Sequence, residues 1–404
     1  MIYPGQLKNP KFRKLWLSDS LISISDQIEM LVMSWVIITK TESGLILGIY
    51  TAIRFFSTIF APFIGGIIDN FNKKNSLLSS RSYMLLHSLI FLLISYIKQL
   101  STYRIIFITF FYGIARTSDR ISRESLTQLL VPKKDLRNAS GILRSTMDFS
   151  KIIGPIIGAW IYSHYGITET YILIALLYII SIIIILPIEI EGINKKSINI
   201  ITEIKIGIVY LKESKILISV ILAAGLANLI LFTLPQAYLP FIIKDIVKGN
   251  ASDLAMFNAF LALGALAGSL LLATKNLSNN PGKLIFLSLF LWHCIMLATS
   301  IVKNKLLLSL ILCLYGIAGS ISMISMAVLI LSIAQKNMIG RIIGIRQLAI
   351  FTLPIGLIIS GYLIDVIGIV ISLQVVTISG LILTLILTYK SKNLIMYRNN
   401  NEFY

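Results

Sequence analysis

The sequence predicts an all-α integral membrane protein in which twelve transmembrane helices form two parallel six-helix repeats. Composition, recurring apolar runs and an internal duplication together predict this fold. Hydrophobic residues make up 56% of the 404 residues, and charged residues make up only 13%. A soluble domain does not need so much apolar surface, so the composition indicates a membrane protein.

The two halves of the chain resemble each other at a constant offset of 203 residues. The stretch Tyr112–Ala115 recurs letter for letter as Tyr315–Ala318. The same offset pairs four further positions that carry identical residues: Gly65 with Gly268, Ile121–Ser122 with Ile324–Ser325, Gly141 with Gly344, and Gly158 with Gly361. A repeat that spans half the chain is typical of a transporter built from two parallel units.

Apolar runs of about 20 residues, the length needed to cross the hydrocarbon core, recur from end to end. The short alternating segments of an outer-membrane barrel do not occur in the sequence. We place the twelve helices at roughly 15–38, 45–68, 77–97, 104–127, 139–164, 170–189, 214–243, 254–274, 284–302, 306–333, 342–366 and 369–389.

The formal net charge is +18, and the basic residues are concentrated in one alternate set of predicted loops. This positive-inside pattern favours a lipid bilayer, and not nucleic acid, as the partner of the basic surface. It places both termini in the cytoplasm, and we expect a multi-pass protein of the bacterial cytoplasmic (inner) membrane. We divide the chain into an N-terminal bundle at 1–190, a polar cytoplasmic linker at 191–213 and a C-terminal bundle at 214–404.

Two motifs interrupt the N-terminal bundle. The segment GGIIDNFNKK at 65–74 joins the second and third predicted helices, and GPIIG at 154–158 lies in the fifth. The first resembles the signature loop of the major facilitator superfamily, Gly-x-x-x-Asp-Arg/Lys-x-Gly-Arg/Lys-Arg/Lys. Its matching residues are Gly65, Asp69, Lys73 and Lys74, whereas Asn70 and Asn72 depart from the pattern. The second motif resembles the Gly-Pro-x-x-Gly element of that superfamily's exporters, through Gly154, Pro155 and Gly158.

Physical chemistry gives both motifs a gating interpretation. Glycine lets helices approach closely, an Asp at a helix end can pair with a cation, and an internal proline bends its helix. The alternative is an ordinary basic loop and an ordinary bent helix. The segments 9–16, 130–139 and 340–344 further resemble the branch that includes enterobactin exporters and macrolide efflux pumps. This resemblance implies the superfamily fold and export from the cytoplasm, without identifying the cargo.

Ionisable residues inside the predicted helices are concentrated in the N-terminal half. Arg116, Arg120 and Arg123 follow one another at steps of four and three residues, which places them on one helical face. The positions 203 residues later are Gly319, Met323 and Met326, so such a helix forms without these charges. Charged groups inside a membrane usually mark a transport pathway, although they can also serve only to join helices. The candidate pathway residues are Asp26, Glu29, Arg54, Arg116, Asp119, Arg120, Arg123 and Asp148.

These features favour a secondary active transporter that exports a small molecule by alternating access, coupled to proton antiport. Asp26 or Glu29 would accept the proton, and the arginines would suit an anionic carboxylate cargo such as a siderophore. A multidrug or macrolide-type pump and a metabolite uptake symporter are the alternatives. The sequence has no catalytic constellation, metal-ligand spacing or phosphate-binding loop, so we expect neither an enzyme nor a cofactor. One twelve-helix chain can enclose a pathway alone, and we expect a functional monomer.

Overall fold

The computed structural model describes residues 4–69, 71–132, 135–189, 206, 209–274, 280–335, 338, 342, 346 and 349–397. All the regular secondary structure of these residues is helical. Nine of the described helices are long and apolar enough to cross a membrane, and a shorter apolar helix covers Gly44–Phe60. Most of the predicted linker at 191–213 and the motif at 340–344 lie outside the described residues.

The described residues form two compact units. The first lies within Met1–Thr41, Ile53–Ile198 and Ala251–Met256, and the second within Glu42–Ala52, Asn199–Asn250 and Phe257–Tyr404. The helices from the first part of the chain are α1 (Pro10–Thr41), α2 (Gly44–Phe56), α3 (Ala61–Asp69), α4 (Lys73–Tyr96), α5 (Thr102–Leu130), α6 (Leu136–Tyr165) and α7 (Ile167–Ile185). Those from the second part are α8 (Lys215–Leu226), α9 (Ala251–Thr274), α10 (Pro281–Ala298), α11 (Lys305–Ile333), α12 (Thr352–Ile367), α13 (Ile369–Lys390) and α14 (Lys392–Met396).

Local sequence explains where several of these helices begin or change. The Asn72 side chain caps α4 by accepting hydrogen bonds from the backbone N–H groups of Lys74 and Asn75. The second predicted span is not one continuous α-helix, because a 3₁₀ turn at Ser57–Phe60 separates α2 from α3. Proline at 62 has no N–H to offer the Thr58 carbonyl, which instead accepts from Ala61.

The duplication read from the sequence is confirmed in the helices. α5 and α11 begin 203 residues apart, at Thr102 and Lys305, and they also end 203 residues apart. The tyrosines of the repeated stretch, Tyr112 and Tyr315, are both buried. α5 and α11 therefore have the same length and the same position in their repeats. They differ in the side chains that each helix buries.

Gly154 and Gly158 bring α6 into direct contact with α1. A Cβ atom at Gly154 would lie 2.6 Å from the Cβ of Gln27 and 3.0 Å from the Ile24 carbonyl oxygen. A Cβ at Gly158 would lie 3.0 Å from a methyl carbon of Ile28. Because α1 carries most of the buried acids of the first unit, these two glycines also position the candidate site.

In the second unit, Asp365 of α12 caps the first turn of α2. Its carboxylate accepts hydrogen bonds from the Ser43 hydroxyl at 2.7 Å and from the backbone N–H of Leu45 at 3.1 Å. A carboxylate at a helix N-terminus satisfies N–H groups that have no partner within the helix. This cap fixes the first turn of α2.

We predict opposite effects for the same substitution at two glycines of α6. Gly154→Ala should lower the free energy of unfolding by about 1–3 kcal/mol, because its methyl group meets α1 at less than contact distance. Gly141→Ala should raise it by roughly 0.5–1 kcal/mol, since no atom lies within 4 Å of the added carbon. Thermal unfolding midpoints in detergent would test this, and shifts of the same sign would contradict the packing argument.

Candidate functional site in the first unit

Asp26 of α1 is held between two arginines. The Arg54 Nη2 atom of α2 lies 2.6 Å from Asp26 Oδ1, and the Arg116 Nη2 atom of α5 lies 2.9 Å from Oδ2. The Tyr112 hydroxyl donates a further hydrogen bond to Oδ1 at 2.9 Å. We refer to Asp26, Glu29, Arg54, Tyr112 and Arg116 as the Asp26 cluster; it ties α1, α2 and α5 together.

Glu29 lies one turn beyond Asp26 on α1 and is less well bonded. It is 1% exposed, and its Oε1 atom lies 3.3 Å from Arg54 Nη1 and 3.7 Å from His87 Nε2. The Arg54 contact is an ion pair, and neither Glu29 oxygen accepts a hydrogen bond from a described residue. The cluster therefore contains two different carboxylates. Both oxygens of Asp26 accept hydrogen bonds, whereas Glu29 is buried and its charge is balanced mainly by one longer ion pair to Arg54.

Aromatic residues enclose the Asp26 cluster. The His87 ring lies 4.4 Å from the Tyr112 ring and 4.8 Å from the Phe91 ring, measured between centroids. The Tyr178 hydroxyl of α7 lies 3.2 Å from that of Tyr112. His87, Tyr112 and Tyr178 are all fully buried, so the two carboxylates exchange most of their water contacts for protein groups.

A second set of buried charges, the Asp19 cluster, lies nearer the first turns of α1. It comprises Asp19, Arg81, Asp119 and Arg123, together with Ser18 and Ser181. Arg123 Nη1 lies 2.7 Å from Asp19 Oδ1, and Arg81 Nε lies 2.8 Å from Asp119 Oδ1. Arg81 also donates to the hydroxyls of Ser18 and Ser181, the latter at 2.9 Å. The cluster joins α1, α4, α5 and α7.

Each cluster is balanced in charge, with two arginines and two carboxylates when all are ionised. Burying one ion without its partner is costly, whereas a hydrogen-bonded pair reduces that cost. The pairing therefore explains how the first unit accommodates this many charges in the membrane. It also means that adding one proton to either cluster leaves it with a net positive charge.

Two of the predicted pathway residues lie outside these clusters. Arg120 is half-buried on α5 and forms no salt bridge to a described residue. Asp148 pairs with Arg144 at 3.3 Å and with Lys151 at 2.8 Å, and its side chain is 47% exposed. Asp148 therefore lies in a surface ion-pair group on α6 and is not brought together with Asp26 or Glu29.

The predicted gating loop has a different set of contacts. Gly65 lies on α3 with only a methyl carbon of Ile121, at 4.0 Å, near the position of an added Cβ. Asp69 is the last residue of α3, and its side chain lies outside the described atoms. The amino groups of Lys73 and Lys74 donate to the carbonyls of Ile68, at 2.9 Å, and of Leu186, at 2.6 Å. These cations neutralise the carbonyl ends of helices, which carry partial negative charge.

The second unit fills the corresponding part of α11 with aromatic side chains. Gly319, which stands 203 residues after Arg116, packs against Trp292, whose ring atom lies 2.5 Å from the position of an added Cβ. The Trp292 and Tyr315 rings contact each other with centroids 5.3 Å apart. The Tyr315 hydroxyl donates to the Leu231 carbonyl, where its counterpart Tyr112 donates to Asp26.

Sequence reasoning missed four of the residues that complete the clusters: Arg81, His87, Tyr112 and Tyr178. Arg81 carries a usable signal, because it is a charge inside a predicted membrane helix. His87 is a single histidine in an apolar helix, and nothing in the sequence indicates that it lies beside Glu29. Tyr112 begins the repeated stretch, which singles it out without indicating a bond to Asp26, whereas nothing in the sequence separates Tyr178 from other aromatic residues of apolar helices.

A family model described as transmembrane secretion effector matches residues 5–401. Macrolide efflux protein A of Streptococcus pyogenes is 21% identical over 363 residues, which cover 88% of this chain and 89% of that protein. Macrolide efflux protein A of Enterococcus faecalis is 22% identical over 218 residues, which cover 53% of this chain and 67% of that protein.

Solved transporters have the same fold. A bacterial homologue of the human lysosomal transporter Spinster, in an inward-facing and unoccupied conformation, superposes with a TM-score of 0.77 at 11% identity. The match covers 96% of this chain and 97% of that one. A POT family transporter in complex with 5-aminolevulinic acid superposes with a TM-score of 0.74 at 12% identity, covering 95% and 96% of the two chains. At these identities the similarity establishes the fold alone.

We predict that the Asp26 cluster contributes strongly to stability. Arg54→Gln should lower the free energy of unfolding by about 3–5 kcal/mol, because it leaves Asp26 and Glu29 with too little positive charge nearby. Arg144→Gln removes the same charge from an arginine whose side chain is 69% exposed, and it should cost at most about 1 kcal/mol. Thermal unfolding in detergent compares the two variants, and equal losses would refute this role.

Proposed function

Since the chain belongs to the transmembrane secretion effector family of major facilitator transporters, we propose that it exports a small molecule from the cytoplasm in exchange for protons. The observation that carries this proposal is the position of Glu29 in the Asp26 cluster, buried and without a hydrogen bond from a described residue. Intramembrane carboxylates of this kind mark proton pathways in pumps and transporters. The similarity to macrolide efflux proteins over 88% of the chain supports the direction of transport.

Glu29 is the better of the two proposed proton acceptors. Both oxygens of Asp26 are engaged by arginines, and Tyr112 adds a hydrogen bond. Protonating Asp26 would therefore sacrifice three strong contacts, whereas protonating Glu29 affects one ion pair at 3.3 Å and a histidine contact at 3.7 Å. Loss of the Glu29 charge frees Arg54 from one of its two carboxylates, and this changes the contact between α1 and α2 on which alternating access would act.

The charge balance distinguishes two classes of cargo. A protonated Asp26 cluster is positive, so it repels a cation and attracts an anion. Exchange requires that cargo and proton bind alternately, and electrostatic competition of this kind favours a cargo that carries a basic amine. A macrolide with an amino sugar fits this requirement. We therefore place macrolide-type cargo first.

An anionic carboxylate cargo, such as a siderophore, is the second candidate, and Arg120 favours it. This half-buried guanidinium has no salt bridge to a described residue and could bind a carboxylate through two parallel hydrogen bonds. Arg116 is 32% exposed and could contribute, but Asp26 already occupies its Nη2 atom. The candidate anion contact is thus Arg120, with Arg116 in a supporting position.

The proposed setting is a bacterial cytoplasmic membrane with both termini inside, which the loop charge pattern supports. Everted vesicles energised by respiration should accumulate a labelled macrolide if the protein is an exporter. Accumulation in intact cells would instead support the uptake symporter.

We predict that Glu29→Gln abolishes export driven by a pH gradient. The amide mimics a permanently protonated side chain, so the carrier cannot release its proton to the cytoplasm. Uptake of a labelled macrolide into everted vesicles, with and without an imposed pH gradient, measures this. Glu169→Gln, which alters an exposed carboxylate at the start of α7, is the matched control and should retain gradient-driven uptake. A gradient response in the Glu29→Gln variant would remove Glu29 from the mechanism.

We predict that the arginines of α5 discriminate between the two cargo classes. Loss of a charge-assisted contact of about 1.5–3 kcal/mol should reduce transport of a carboxylate cargo by roughly ten- to a hundredfold in Arg120→Gln. The Arg116→Gln/Arg120→Gln double variant should abolish it. Arg120→Lys keeps the charge without the planar fork and should be intermediate. Equal export of a carboxylate siderophore by wild type and Arg120→Gln, at equal expression, would reject the anionic candidate.

A further inference from the structure

The Asp19 cluster contains a carboxylate that the proposed proton exchange at Glu29 leaves unused. Asp19 is fully buried. Its Oδ1 atom pairs with Arg123 at 2.7 Å, while its Oδ2 atom accepts no hydrogen bond from a described residue. Asp19 thus resembles Glu29: it is a buried carboxylate with at least one oxygen that accepts no hydrogen bond from a described residue.

The surroundings of Asp19 contain few other ionisable groups. Helix α5 contributes Arg123 and Asp119, with the exposed carboxylate of Glu124 also acting on Arg123, and α4 contributes Arg81. From α7 comes the Ser181 hydroxyl, which bonds Ser18 and Arg81, and from α6 comes the Met147 sulphur, 3.9 Å from Arg123. Arg81 is committed to Asp119 and the two serines, so Arg123 is the cation that compensates Asp19 directly.

A purely structural role explains this arrangement poorly. Buried polar networks stabilise a protein when every member is satisfied, and a partly satisfied network is less stable than apolar packing. Helix α11 of the second unit has the same length and offset as α5, yet it carries Ser322 and Met326 where α5 carries Asp119 and Arg123. The fold therefore forms such a helix without these charges.

The two clusters follow one another along the same pair of helices. Asp19 and Asp26 are seven residues apart on α1, which is two helical turns or about 10 Å. On α5, Arg116, Asp119 and Arg123 alternate in sign at steps of three and four residues. Each cluster is balanced by itself when its two arginines and two carboxylates are ionised, so an unprotonated neighbouring cluster adds no net charge to it.

We propose that Asp19 is a second proton-binding carboxylate, so that Glu29 and Asp19 each carry one proton in a transport cycle. This inference rests on the proposed proton-coupled export. Binding a proton at Asp19 would break its ion pair with Arg123, just as binding at Glu29 would break one of the two ion pairs of Arg54. Two protons per cargo would square the concentration ratio that a given pH difference can maintain, from about tenfold to about a hundredfold per pH unit.

The number of coupled protons can be measured in proteoliposomes that contain the full-length protein. The membrane potential is clamped with valinomycin and potassium, and the steady-state accumulation of a radiolabelled macrolide is measured against imposed pH differences. The slope of its logarithm against the pH difference gives the number of protons. We expect a slope near two for wild type, and a slope near one for Asp19→Asn/Arg123→Gln, which removes the pair together and leaves no unpaired buried charge.

Glu169→Gln is the control, since it removes an exposed carboxylate that lies outside both clusters, and its slope should equal that of wild type. A wild-type slope near one overturns the proposal even if the double variant does not fold, and so does an unchanged slope in a folded double variant. A wild-type slope of zero would instead reject the proposed proton coupling. Single Asp19→Asn, which leaves Arg123 unpaired, provides a second test of the slope.

Discussion

The pairing of Asp26 with Arg54 and Arg116 is the contact on which the first unit depends. The helices α1, α2 and α5 contribute one charge each, and none of these charges is stable in a membrane interior alone. Their mutual compensation fixes α1 against α2 and α5. The glycine contacts of α6 complete the packing from another side of α1, where Gly154 and Gly158 meet Gln27 and Ile28.

The two copies of the duplicated unit solve the same packing problem with different chemistry. α5 and α11 have the same length, the same offset and the same buried tyrosine. In the first unit that tyrosine donates to a carboxylate, and in the second it donates to a backbone carbonyl. An apolar, aromatic interior is enough to build the helix bundle. The ionic interior of the first unit is therefore an addition that calls for a functional explanation.

The net charge of the two buried clusters in the first unit relates their structure to the proposed transport. A balanced cluster becomes positive when it takes up a proton, and the arginine that was paired with the protonated carboxylate loses that ion pair. In the proposed exchange, this would convert the binding of one proton into a change in helix contacts, which is what coupling requires. The positive charge of a protonated cluster would also influence which cargo is exchanged, because a cationic cargo competes with the proton and an anionic cargo does not. Arg120, unlike Arg116 and Arg123, forms no salt bridge to a described residue, and in the proposed export of an anion it would bind the carboxylate of the cargo.

The sequence alone determined the membrane class, the twelve helices, the duplication and the concentration of charge in the first half. Each follows from composition or from a local pattern, because an apolar run must become a helix that satisfies its own backbone in lipid. Helical spacing also placed Arg116 and Arg123 on a common face.

Only the tertiary structure decided which acid each arginine meets. The contacts of Arg81 with Asp119 and of Arg54 with Asp26 join different helices, and no spacing within one helix encodes them. The same reason explains why Asp148, similar to Asp26 in the sequence, lies with surface cations while His87 lies beside Glu29.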